Sequence, residues 1–158
     1  MKQYLLLAAL TVSLGACQET DSNEDATPVA IEAQFSQDFT LSYRQQAILP
    51  TVIQPELTIE LVDLQYSICP KNARCFGANF AFPILAVTDA QGQTQQLKMP
   101  VNHTTGLRYG SFVDTTSVRA NGRRYLLQYT EWSVKSDCDQ PEKKDLSVAL
   151  RITKQTVN

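Results

Sequence analysis

The residues with the most distinctive chemistry in this chain are Cys69, Cys75, Cys138, the single histidine His103, and the carboxylates Asp137 and Asp139 that flank Cys138. Their spacing argues against a metal. Structural zinc uses cysteines about two to four residues apart, or paired histidines on one face, whereas five residues separate Cys69 from Cys75. A calcium loop starting at Asp137 and Asp139 would put Pro141 at its fifth position and Val148 at its twelfth, where a carboxylate is required. Nucleophilic chemistry fares no better, because two neighbouring carboxylates raise the pKa of a Cys138 thiol when a reactive thiol needs it lowered. Neither a Gly-x-Ser-x-Gly motif nor a phosphate-cradling glycine run is present. The residues therefore predict no catalytic group, no metal ligand and no cofactor, and the Asp137 to Asp139 stretch reads as a solvated acidic loop.

A fourth cysteine sits in a different setting. Lys2 is followed by an apolar run from Tyr4 to Leu14, and after Cys17 come Gln18, Glu19, Thr20 and Asp21. The run is shorter than the ~20 apolar residues a spanning helix needs, and it has the build of a secretory signal. The stretch Leu14-Gly15-Ala16-Cys17 resembles the lipobox of bacterial lipoproteins. That resemblance implies cleavage before Cys17, acylation of its sulfur, and a partner in the membrane itself through the acyl chains. Gln18, standing where an inner-membrane retention signal would put Asp, implies the outer membrane of a two-membrane cell envelope. Residues 1–16 are then a signal peptide and residues 17–30 an acylated tether. The tether carries Glu19, Asp21, Glu24 and Asp25 with few apolar residues, so burial cannot offset the entropy of ordering it, and a flexible spacer is expected.

The remainder, residues 31–158, suits one domain. Hydrophobic residues make up 43% and charged residues 19% of the chain, an ordinary globular balance. All but one of the 14 bases and all but four of the 16 acids lie past Pro28. A domain so close to neutrality lacks the basic footprint of nucleic-acid binding, and that class is set aside.

From Phe35 the apolar residues recur with period two, as in half-buried strands. Phe39, Leu41 and Tyr43 alternate with Thr40 and Ser42; Leu57, Ile59 and Leu61 alternate with Thr58 and Glu60. An apolar run from Phe80 to Val87 contains Pro83, which lacks a ladder donor and so belongs at an edge, at a bulge, or with its nitrogen facing out. Residues 90–93 read as a turn into Leu97 and Met99, and Asn121-Gly122 as a tight hairpin turn between residues 112–120 and 123–132. Leu146, Val148, Leu150 and Ile152 share one face of a last strand, with Ser147, Ala149 and Arg151 on the other. Seven or so short strands predict an all-β fold, a single antiparallel β-sandwich, with a small β-barrel as the alternative.

Three cysteines beyond Cys17 in an oxidising compartment leave one thiol over. The short separation favours a Cys69–Cys75 disulfide with Cys138 unpaired; Cys138 bonding either partner is the alternative. The segment from Leu57 to Val87, with Cys69-Pro70, Cys75 and Phe76-Gly77-Ala78-Asn79, resembles a group of uncharacterised bacterial lipoproteins with a Cys-Pro…Cys box. The resemblance implies a β-sandwich and a disulfide, and no activity.

Among the aromatics, Tyr125 and Tyr129 fall on one face of their strand and Trp132, by strict alternation, on the other. Core packing is expected for the set, ahead of a carbohydrate or peptide platform. Arg119, Arg123 and Arg124 read as a solvated hairpin tip. The expected function is that of a noncatalytic envelope lipoprotein whose domain binds a protein, glycan or small ligand, or supports an envelope assembly; a lipid-tethered enzyme with an unrecognised site is the rival.

Overall fold

A computed structural model describes residues 27–70, 72–99, 114–134 and 140–155. Among the described residues nine strands form two sheets, ordered β1-β3-β4-β5-β6 and β2-β9-β8-β7, which stack without closing into a barrel. The alternative of a small barrel therefore gives way to the sandwich. The first sheet holds β1 (Ile31–Glu32), β3 (Gln46–Pro50), β4 (Pro55–Ser67), β5 (Phe80–Asp89) and β6 (Thr94–Lys98). The second holds β2 (Asp38–Ser42), β7 (Asp114–Ala120), β8 (Arg123–Val134) and β9 (Leu146–Lys154). One 3-10 turn, Lys143–Asp145, precedes β9.

Two of these strands, β1 and β3, lie where the sequence offers little alternation. The chain rises along β1 in the first sheet, descends along β2 in the second, and returns to the first as β3. Because β2 intervenes in the opposite sheet, β1 and β3 run parallel, with Ile31 beside Ala47, while the other pairs are antiparallel. Each crossing turns through a non-glycine residue in the left-handed region, Ser36 (φ 64°) and Arg44 (φ 61°). Their N–H groups donate to the sheet being joined, Ser36 to Ile152 at 2.7 Å and Arg44 to Leu61 at 2.9 Å. A ladder hydrogen bond at each corner thus offsets an unfavourable backbone conformation.

Inward-facing side chains from both sheets make one core: Leu49, Leu57, Ile59, Leu61 and Leu85 meet Leu41, Tyr125, Leu127, Tyr129, Leu146, Leu150 and Ile152, all within 1% of fully buried. At about 1.5–3 kcal/mol for each large apolar side chain, this layer is what holds the sheets face to face. The Asn121-Gly122 turn adopts the positive φ values (50° and 71°) that its sequence predicts.

Both long strands carry a bulge. In β4 the register shifts between Leu61 and Asp63, so Val62 has no partner and Leu64 returns to the inner face. In β8 it shifts between Tyr129 and Glu131, leaving Thr130 unpaired. Trp132 then pairs with Val148 and packs against the core. Strict alternation put Trp132 on the face opposite Tyr129; the extra residue at the bulge corrects that assignment, since two residues there occupy the place of one. Pro83 sits beside the β4 bulge, opposite Leu64. Its carbonyl accepts from Met99 N–H, so its nitrogen faces the last turn of the β6 ladder, where a donor is least missed.

Candidate functional site

The two ends of the sandwich differ in chemistry. At one end lie the β3–β4 loop, the β5–β6 turn and the β7–β8 hairpin tip. Glu56 at the start of β4 accepts hydrogen bonds from the Tyr125 hydroxyl and from the Lys154 ammonium. Asn121 Nδ2 donates to the Glu56 carbonyl at 2.7 Å, and its Oδ1 accepts from Ala90 N–H at 3.0 Å. Lys154 lies 4.1 Å from the centroid of the Phe35 ring, which stacks on Tyr125 at 5.9 Å. Burial alone would raise the Glu56 pKa, but the hydrogen bonds from Lys154 and Tyr125 and the charges of Lys154 and Arg123 outweigh it and lower it overall. Burial and the neighbouring Glu56 carboxylate together raise the Tyr125 hydroxyl. Every member of this cluster has a partner within it, and it ties the two sheets together at this end of their strands.

At the other end β4 and β5 run on as a hairpin past the first residue of β3. Leu61 N–H donates to the Gln45 carbonyl at the start of β3, and the ladder continues from Asp63–Ile84 to Ser67–Phe80. The five residue steps of β5 from Leu85 to Phe80 span about 17 Å. The inner side of this hairpin is closed: Leu64 and Ala81 are buried, and the Tyr129 hydroxyl donates to the Ala81 carbonyl at 2.5 Å. Burial also pushes the Tyr129 hydroxyl well above the usual tyrosine range. Where β3 no longer covers the edge of β4, Lys143 reaches across to Asp63; this hydrogen bond is the main cause of the lowered Asp63 pKa and the raised Lys143 pKa. Covering an edge in this way removes a template for pairing with another chain.

The outer side of the same hairpin is apolar along β5 and polar along β4, where Asp63, Gln65 and Ser67 stand opposite Ile84, Phe82 and Phe80. Phe80 and Phe82 stack at 4.5 Å, and Ile84 continues their row, each half-buried. Beyond them the chain closes a ring. Cys69 and Cys75 form a disulfide with their α-carbons 5.8 Å apart, Asn79 Oδ1 accepts from Cys69 N–H at 2.8 Å, and Ala73 N–H donates to the Pro70 carbonyl at 3.0 Å. Phe76, the residue after the ring, is 111% exposed, more than any other large hydrophobic residue described. Outside this hairpin, only Val29, Val52 and Ile53 are large hydrophobics of comparable exposure among the described residues.

Of the residues singled out in the sequence, Cys69 and Cys75 are bonded to each other, while Cys17, His103, Asp137, Cys138 and Asp139 lie outside the described residues. Tyr125 and Tyr129 are core residues whose hydroxyls bond across to the other sheet. Arg119, Arg123 and Arg124 are exposed at the hairpin tip, and Arg123 approaches Glu56 at 4.0 Å. Among the described residues no group of three His, Cys, Asp or Glu side chains is placed to hold a metal ion.

Two features escape sequence reasoning. The Glu56 cluster joins residues 65 to 98 positions apart along the chain and leaves no local signature. The outer row of Phe80, Phe82 and Ile84 does leave one: an apolar run on both faces of a strand means that each face meets something other than water. Compared with known protein families, curated proteins and solved structures, the chain matches none.

Proposed function

We propose that this protein is an envelope lipoprotein, held by acyl chains on Cys17 in the outer membrane of a two-membrane cell. Its β-sandwich serves to bind a protein or glycan partner and not to catalyse. Anchoring is supported by the sequence Leu14-Gly15-Ala16-Cys17 after a short apolar run and before an acidic spacer. Binding is supported by one observation above all, the row of Phe80, Phe82 and Ile84 on the outer face of a rigid, disulfide-closed hairpin. Such a face costs solubility unless contact uses it, and a sheet braced from behind by Leu64, Ala81 and Tyr129 presents it with little entropy left to lose.

Labelled palmitate tests the anchor: the parent protein takes up label and Cys17→Ser takes up none. Purification from detergent-solubilised envelope tests the face. A species that copurifies with the parent and with Ile53→Ser, and is lost from the Phe80→Ser, Phe82→Ser double variant, assigns binding to the hairpin. Equal recovery with all three removes that assignment.

A further inference from the structure

We infer that the disulfide loop at the tip of the β4–β5 hairpin, led by Phe76, rests in the headgroup layer of the bilayer that carries the Cys17 anchor; this rests on the lipoprotein reading above. Three observations point the same way. First, direction: the Gln45 side chain donates to the Val29 carbonyl at 2.9 Å, so the chain joins the sandwich at the level of the β2–β3 turn, and from that level the hairpin runs on away from the opposite end. Second, reach: the hairpin extends about 17 Å past that level. Twelve residue steps separate Cys17 from Val29, and a flexible coil of that length spans about 20 Å. That reach lets a bilayer anchored at Cys17 lie at the depth to which the tip projects. Third, chemistry: the segment from Ile68 to Asn79 holds Lys71 and Arg74, no acid, and Phe76 with its ring wholly in solvent. Exposed aromatics beside basic residues are what the boundary of an anionic bilayer accommodates.

Val52 and Ile53 are exposed at the opposite end of the sandwich and serve as the internal control, since a domain that rests on its tip holds them farthest from the bilayer. The disulfide and the Asn79 bond keep the tip from folding back, so contact would need no rearrangement of the domain.

The full-length acylated protein is reconstituted in phosphatidylethanolamine–phosphatidylglycerol vesicles with or without brominated acyl chains, as the parent, Phe76→Trp and Ile53→Trp. Uptake of labelled palmitate is measured on each preparation. The expected result is label in all three, with most of the emission added by Phe76→Trp quenched by bromine, none of that added by Ile53→Trp, and weaker quenching once Arg74→Glu is combined with Phe76→Trp. Label without added quenching at Phe76→Trp overturns the inference and leaves the anchor standing. A blue shift without quenching also overturns it, because the residue is then covered by the acidic tether or a second protein copy. Equal quenching at both positions overturns it as well, because the tip then has no preference for the bilayer over the opposite end. A parent that takes up no label removes the anchor and the inference together.

Discussion

The end of the sandwich that holds Glu56 and the end that holds the disulfide solve one problem with opposite means. Both must close the gap between two sheets where the strands run out. The Glu56 end does so with polar groups that satisfy one another: a carboxylate, a phenol, an ammonium and a carboxamide, drawn from β4, β7–β8 and β9. The disulfide end uses covalent closure of a short ring and backing by Tyr129 from the opposite sheet, and leaves an apolar row along β5 on its outer side. A cluster whose bonding capacity is used internally has little to offer a partner. The disulfide end is held just as firmly and yet keeps unspent surface, and this separates architecture from function in the molecule.

The comparison breaks if the Glu56 cluster can be removed at no cost. Glu56→Ala leaves the buried Tyr125 hydroxyl without an acceptor and Lys154 without its carboxylate, and should lower stability by about 2–3 kcal/mol in urea unfolding. Glu56→Gln tests the charge alone. The carboxyl pKa is lower in the fold than its ordinary 4.5, so its stabilising contribution is complete above that value and is lost as pH falls through the lower folded value. The gap in melting temperature between parent and Glu56→Gln should therefore be widest near neutrality and narrow steadily below pH 4.5.

A smaller effect is expected from the disulfide. Cys75→Ser opens a ring whose cysteines are six positions apart, and loop-closure entropy assigns so small a ring about 2 kcal/mol. The loss should be local: amide exchange should rise in residues 68–79 and stay unchanged at Tyr125 and Leu127. Exchange rising equally at both ends would mean that the hairpin and the Glu56 cluster unfold as one unit, and the contrast between them would lose its meaning.

Smaller still is the edge contact. Asp63→Asn keeps the acceptor for Leu64 N–H and removes the pair with Lys143, whose two side chains are 42% and 40% exposed. Solvent screens such a pair, and a change under about 1 kcal/mol is expected from thermal unfolding.

How much of this was legible in the sequence depends on the range of the interaction. Local alternation showed the strands over residues 39–43, 57–61 and 146–152, and Asn121-Gly122 its hairpin, because backbone geometry there is decided by adjacent residues. It missed β1 and β3, whose pairing depends on two crossings between sheets, and it misplaced Trp132 because a bulge is set by cross-strand fit and not by composition. The apolar run from Phe80 to Val87 was visible, but which half of it faced outward was not, since either register buries an aliphatic row. The Cys69–Cys75 ring was within reach because six positions of separation limit what two thiols can meet.

The last prediction concerns Phe76, where the expected change in stability is close to none. A side chain 111% exposed makes no contact whose loss could cost the fold, so Phe76→Ser should unfold within about 0.5 kcal/mol of the parent. Leu64→Ala, twelve residues back along the same hairpin but 2% exposed, should cost about 2–5 kcal/mol, as expected if the arm itself is part of the folded unit. The pair separates two explanations of an exposed phenylalanine. If Phe76 were held in place by the domain in solution, its removal would register in the unfolding curve. If it is kept for a contact made outside the chain, its removal changes binding to that surface and leaves the curve where it was. A destabilisation of Phe76→Ser approaching that of Leu64→Ala would return Phe76 to the core of the molecule and take with it the argument that this end of the sandwich has surface to spare.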